Sequence, residues 1–103
     1  FGRRVVPMSP SAIGRMCAAQ IGALIGIAAQ VGVSVAYVKP HGALGNLAAR
    51  DRAVVDAIVA AVQKIDPSLA ILAISGTQSE QAAREVRARL SAEGVQIASF
   101  LSI

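Results

Sequence analysis

Lys39, His41 and Asn46 place a cation, the chain's single imidazole and an amide on one short stretch, punctuated by Pro40, Gly42 and Gly45. An imidazole with an ordinary pKa of about 6.5 changes charge close to neutral pH. His41 can therefore give or take a proton, or ligate a metal, or simply tie its loop to neighbouring backbone through its ring nitrogens. Lys39 has the charge to hold a carboxylate, a phosphate or a developing oxyanion. The ordinary alternative is a solvated lysine lying along apolar surface. Gly42 and Gly45 either let backbone approach a ligand or make the turn. A second stretch, Ser75-Gly76-Thr77, offers hydroxyls and helix N-terminal N–H groups to an anion. A helix cap and turn already account for those three residues. Cys17 falls on an apolar helix face, where packing explains it better than nucleophilic chemistry.

Other chemistries find no support in the residues. The sequence has neither a G-x-x-x-x-G-K-[ST] phosphate loop nor a G-x-G-x-x-G fingerprint. One His and one Cys cannot make a zinc site unaided, so no metal ligands are assigned. No Ser-His-Asp order stands out. A single cysteine excludes an internal disulfide and fits a reducing, cytoplasmic setting. The net charge of +4 comes from ten basic residues scattered along the chain, and aromatics are only 3%. Nucleic-acid binding would want a basic stripe with stacking rings, so no nucleic-acid partner is expected. Arg84, Arg87 and Arg89 are interleaved with Glu80, Glu85 and Glu93, the pattern of a solvated helix face. Met16 to Val38 carries no charge, yet Gln20, Gln30, Ser34 and several glycines interrupt it. A buried helix followed by a buried strand explains these letters without leaving glutamines in lipid, so no membrane span is expected. No apolar segment stands directly behind Phe1-Gly2-Arg3-Arg4 to make a signal peptide, and the first residue is not Met. The expectation is a piece of a longer protein.

The elements that must hold these residues follow from periodicity. At 103 residues the chain allows one domain, residues 1–103. Its core is expected to come from Ala, Val, Ile and Leu, which suits helices on a buried parallel sheet. Ser9-Pro10 starts a helix as N-cap and first residue. Ile13, Cys17, Ile21, Leu24, Ile25 and Ala28 recur on one face, and Gly32 stops it. Val33 to Val38 reads as a buried strand that ends in a loop at Pro40, Gly42 and Gly45. A second helix begins between Asn46 and Asp51, burying Val54, Val55, Ile58, Val59, Val62 and Ile65. Asp66-Pro67-Ser68 turns into the apolar run Leu69–Ile74, a strand covered on both faces. Thr77-x-x-Glu80 is a capping box opening a third helix, with Ala82, Ala83, Val86 and Leu90 inward and Gly94 at its end. Val95 to Phe100 is the third strand. The predicted order is α-β-α-β-α-β: an α/β chain of parallel β/α units, forming a sheet or part of a barrel. Three strands leave open edges, through which a homo-oligomer can form. Ligands of such folds sit at the carboxyl ends of the strands, which points to Lys39–Asn46 and Ser75–Ser79.

Val38-Lys39-Pro40-His41-Gly42-Ala43-Leu44, with Asn46 two residues on, resembles the VKPHGALYN signature of the LamB/YcsF family. Phe1-Gly2-Arg3-Arg4 is similar to that family's FGRR, Ser9-Pro10 and Gln20-Ile21-Gly22-Ala23-Leu24 to its following helix, and Asp56-Ala57-Ile58 to the helix after the signature. The resemblance implies part of a seven-stranded (β/α) barrel, similar to polysaccharide-deacetylase-like folds. It implies the A-subunit role in an ATP-dependent 5-oxoprolinase, which opens the lactam of 5-oxoproline to glutamate with partner subunits B and C. ATP is then a co-substrate of the complex and the substrate a small molecule. By carry-over, His41 and Lys39 are the candidate catalytic residues, with Asn46 and Arg3 as candidate substrate-binding residues. His41 would handle protons and Lys39 a carboxylate or phosphate. Several family features depart from this sequence: DLNADLGE, GFHAGD and HPSYPD are absent, Gly45 stands where the family has Tyr, and Phe100-Leu101-Ser102-Ile103 replaces EVFADR. These departures give the expectation of an internal, truncated fragment. Two rival functions are a metal-dependent deacetylase-like carbohydrate hydrolase, with ligands from outside this segment, and a non-catalytic fragment that self-associates.

Overall fold

A computed structural model describes residues 4, 6–73, 76–92 and 100–102. Its first helix, α1 (Pro10–Gln30), begins as the sequence dictates: Ser9 Oγ accepts from the Ala12 N–H at 3.2 Å and Pro10 needs no donor there. It ends in a Schellman turn. Val33 N–H reaches the Ala28 carbonyl at 2.9 Å and Gly32 N–H that of Ala29 at 3.3 Å, with Gly32 at φ +72°. The fully buried residues of α1, Ile13, Gly14 and Cys17, lie in its first half. Gly14 lies so close to the next long helix that a Cβ there would stand 3.2 Å from the Ala57 carbonyl oxygen. The second half buries the expected face in part: Ile21 and Ile25 are half-buried against the core and Ala28 is half-buried, but Leu24 is not. Leu24 is 56% exposed and Ile27 65%, because no described element covers them. By length and mean hydropathy α1 could cross a membrane, but its first half packs on a neighbouring helix of this chain.

The expected strand 33–38 is far shorter. Strand β1 is Tyr37–Val38, and Val33 and Tyr37 are exposed rather than buried. The expected loop after it is also corrected. Gly42–Arg50 forms a helix, α2, which buries Ala43 and Ala48 and turns Leu44 and Leu47 towards the core. Asp51 then joins two helices: its N–H donates to the Leu47 carbonyl at 2.8 Å, closing α2. Its Oδ1 accepts from the N–H groups of Ala53 (3.1 Å) and Val54 (3.3 Å), opening α3 (Arg52–Ile65). Val54, Val55, Ile58, Val59 and Val62 of α3 are buried as the spacing requires, and Ile65 is half-buried.

After α3, Asp66 Oδ1 accepts from Ser68 Oγ at 2.6 Å and Ser68 N–H at 2.9 Å, fixing the turn into β2 (Ala70–Ala73). Ile71 and Ala73 are buried, while Ala70 and Leu72 are half-buried. Helix α4 (Gln78–Ala92) follows, with Ala82 and Ala83 buried and Val86 packed on the core. The Leu90 side chain and Gly94 lie outside the described residues. Strand β3 is Phe100–Ser102; the expected strand residues 95–99 lie outside the described set. The order is therefore α-β-α-α-β-α-β, one helix more than expected. The sheet is parallel throughout, in the order β1-β2-β3, with Tyr37 opposite Ala70, Val38 opposite Ile71, and Ile71 opposite Phe100. Arg52 ties α3 to α4. Its Nε donates to Asp56 Oδ1 at 2.8 Å, and its guanidinium also pairs with Glu85, whose carboxyl is thereby held below its ordinary range. All three side chains are solvent-accessible, so this network adds little stability.

Candidate functional site

Parallel pairing sends β1 and β2 the same way, so their carboxyl ends lie at one edge of the sheet, one strand spacing of ~4.8 Å apart. The two stretches singled out in the sequence meet there. A cleft of about 30 Å³ is lined by Lys39, Pro40, Gly45 and Ala49 from the first, and by Leu72, Ala73, Thr77 and Ser79 from the second. Larger grooves of about 560 and 460 Å³ lie between α3 and α4 and between α1 and α3, floored by helix residues alone. The smaller opening is the one at the strand ends.

Each wall has a local cause. Gly42, the first residue of α2, takes φ +61°, a conformation L side chains rarely adopt, and so turns the chain directly from the strand end into the helix. Gly45 closes the first turn by donating its N–H to the His41 carbonyl at 3.3 Å. A Cβ at Gly45 would stand 2.7 Å from the Pro40 carbonyl oxygen, so the Lys39-Pro40 turn lies against α2 more closely than a side chain would permit.

On the other wall the capping box forms with one change. Thr77 Oγ1 accepts from the Glu80 N–H at 3.4 Å, but the Glu80 carboxylate reaches the N–H of Gly76, at 2.8 Å, one residue beyond the usual partner. Arg84 Nε donates to the other Glu80 oxygen at 3.0 Å. The Gly76 N–H, then Arg84, holds the Glu80 carboxyl below its ordinary range.

The sequence-selected residues separate into three groups. Lys39 lines the cleft, and its amine has no ion pair among the described residues. His41 is the N-cap of α2 and is exposed. It makes no side-chain cap bond and does not line the cleft, two residues beyond Lys39. Asn46 is exposed on α2 rather than in a loop, and also stands outside the cleft. Arg3 lies outside the described residues. Cys17 is buried, which pushes its thiol pKa up and leaves it a packing residue. Among the described residues no three of His, Cys, Asp and Glu converge. Ser79 and Thr77 line the cleft with Lys39; the sequence offers the Thr77 hydroxyl as an anion donor but favours a cap, and reaches Ser79 only as the end of the Ser75–Ser79 stretch. Their only sequence signal is a place at a helix start behind a strand.

A model of the LamB/YcsF family matches residues 1–98. The chain belongs to the LamB/YcsF family. Among its relatives, the A subunit of 5-oxoprolinase from Tolumonas auensis is 45% identical over 93 residues, covering 90% of this chain and 37% of its own length. That of Gluconobacter oxydans is 49% identical over 85 residues, covering 82% and 34%. A lactam utilization protein from Thermus thermophilus superposes with a TM-score of 0.85 at 34% identity, over 99% of this chain and 37% of that structure. This LamB/YcsF chain thus spans little more than a third of the length of the proteins it matches.

Proposed function

We propose that this chain supplies the Lys39–His41 segment of the A subunit of a 5-oxoprolinase, within a seven-stranded (β/α) barrel. That enzyme hydrolyses the lactam of 5-oxo-L-proline to L-glutamate with hydrolysis of ATP, together with subunits B and C. The observation that carries the reading is the cleft at the carboxyl ends of β1 and β2, with Lys39 in its wall, in a chain whose relatives are named for 5-oxoprolinase and lactam utilization.

Opening a lactam adds water to the carbonyl carbon and breaks the C–N bond, so the water must lose a proton and the departing amine must gain one. His41, at the N-cap of α2 and open to solvent, is suited to that exchange. Lys39 offers a fixed positive charge to the substrate carboxylate or to a phosphate of ATP. Asn46, on the exposed face of α2, would contact substrate beyond the cleft, and Arg3 is the second candidate substrate-binding residue.

The test is glutamate release from 5-oxoproline and ATP by this chain assembled with subunits B and C. His41→Ala should lower kcat by about 100-fold or more, the usual contribution of a general acid–base group. Release that is unchanged by His41→Ala sinks the proton role, and no release from the wild-type assembly sinks the reading for this chain.

A further inference from the structure

Ser79 is the one polar side chain of the described core: it is 8% exposed and lines the cleft with Lys39. Its hydroxyl has no hydrogen-bond partner among the described residues. No side-chain polar atom sealed from solvent lacks a partner among those residues, so the Ser79 hydroxyl has accessible surface, and the cleft is the opening that Ser79 lines. A hydroxyl open to such a cleft and without a protein partner is free to bond water or a ligand. Ser79 also sits in the first turn of α4, a helix of 15 residues, where N–H groups and the helix dipole favour negative charge. The nearest carboxylate in sequence, Glu80, is committed to Gly76 and Arg84 and does not line the cleft.

We propose that Ser79, Lys39 and the first turn of α4 form a carboxylate-binding subsite. Its volume, about 30 Å³, decides the size of what enters. A water needs roughly 10–15 Å³ of such space, so the subsite takes one carboxylate group and leaves a five-membered ring outside. The hydroxyl donates to one carboxylate oxygen while the lysine supplies the opposite charge, a pairing stronger than a neutral hydrogen bond. That the ring is a lactam rests on the function proposed above; that the subsite takes a carboxylate does not.

Three ligands separate these statements: 5-oxoproline, 2-pyrrolidone, which has the lactam without the carboxylate, and cyclopentanecarboxylate, which has the reverse. Each is titrated into the 103-residue chain while amide chemical shifts are followed. Both carboxylates should bind and shift the amides around Lys39 and Ser79. Ser79→Ala and the near-isosteric Ser79→Cys should weaken both about tenfold, leaving 2-pyrrolidone unchanged. Two variants guard against a fold effect, and each is accepted only with wild-type circular dichroism. If cyclopentanecarboxylate binds in a Ser79-dependent way and 5-oxoproline does not, the subsite stands and the lactam reading fails. If both carboxylates bind and neither variant weakens them, Ser79 is excluded and the subsite is overturned. If neither carboxylate binds the wild-type chain, the subsite is likewise overturned.

Discussion

Replacing Asp51 with alanine tests the joint that sets α2 against α3. In the wild-type chain one carboxylate oxygen satisfies two N–H groups of the α3 first turn, at 3.1 and 3.3 Å, and these have no intrahelical partner. Alanine keeps the backbone bond from residue 51 to the Leu47 carbonyl, so the loss is confined to the cap. An N-cap lost to alanine costs about 1 kcal/mol, and up to about 2 where the host is a folded protein. Unfolding entropy of about 2.1 cal/mol/K per residue gives roughly 0.2 kcal/mol/K for a chain of this length. The Tm should therefore fall by about 5 °C. Asp51→Asn and Asp51→Ser retain an acceptor and should stay within about 2 °C of wild type. Thermal unfolding followed by far-ultraviolet circular dichroism reads all three. A Tm for Asp51→Ala indistinguishable from wild type would refute the capping role. So would an Asn variant as unstable as the alanine one, because the acceptor would then be irrelevant.

Gly42→Ala should lower Tm by a similar amount, since a left-handed non-glycine residue costs roughly 1–2 kcal/mol, while Gly42→Asn should lose less. An alanine variant as stable as wild type would show that the strand-to-helix turn does not need φ +61°. Stability should also fall in acid. Asp66 is held low by the Ser68 hydroxyl and N–H, Glu80 by the Gly76 N–H and Arg84, and Glu85 by Arg52. Folded values below the unfolded ones of about 3.9–4.3 mean that this stabilisation is complete above those values and lost as pH falls through the folded ones. The urea midpoint should be flat from neutral pH to about pH 5 and drop below about pH 4, with Glu80→Gln and Glu85→Gln together shrinking the drop. A midpoint that does not move between about pH 5 and about pH 2 contradicts the assignment.

What the sequence shows clearly is what short-range rules decide. Ser9-Pro10, the stop at Gly32, the Asp66 turn and the Thr77–Glu80 cap each depend on residues within one turn of each other, and each forms, the last with its carboxylate on Gly76 rather than Thr77. The helix expected to begin between Asn46 and Asp51 is capped by Asp51. Helix α2 is hidden in the sequence because Pro40, Gly42 and Gly45 are all turn signals. In place, Pro40 precedes the helix, Gly42 starts it, and Gly45 permits a close approach. The strand 33–38 shrinks to Tyr37–Val38 because β-branched residues mark a surface suited to pairing, and pairing itself needs a neighbour. The candidate site is legible as two stretches, Lys39–Asn46 and Ser75–Ser79. Which side chains share the cleft is not. His41 and Asn46 look as near to Lys39 as any residue in sequence, yet Thr77 and Ser79 are the ones that join it. Only the register of two strands distant in sequence makes that choice.

The same register has a kinetic consequence. Tyr37 meets Ala70, and Ile71 meets Phe100, across intervals of about thirty residues, with no hairpin in the sheet to close them locally. The helices gather from neighbouring residues, whereas joining β1 to β2 must first close a long loop. The cleft is thus expected to assemble late in folding, after α3 has its buried face. With β1 held by only two residue pairs, it is also expected to be among the first parts to open. Hydrogen exchange would show this as early loss of protection at Ala70, whose N–H donates to the Ala36 carbonyl at 3.1 Å, while α3 stays closed.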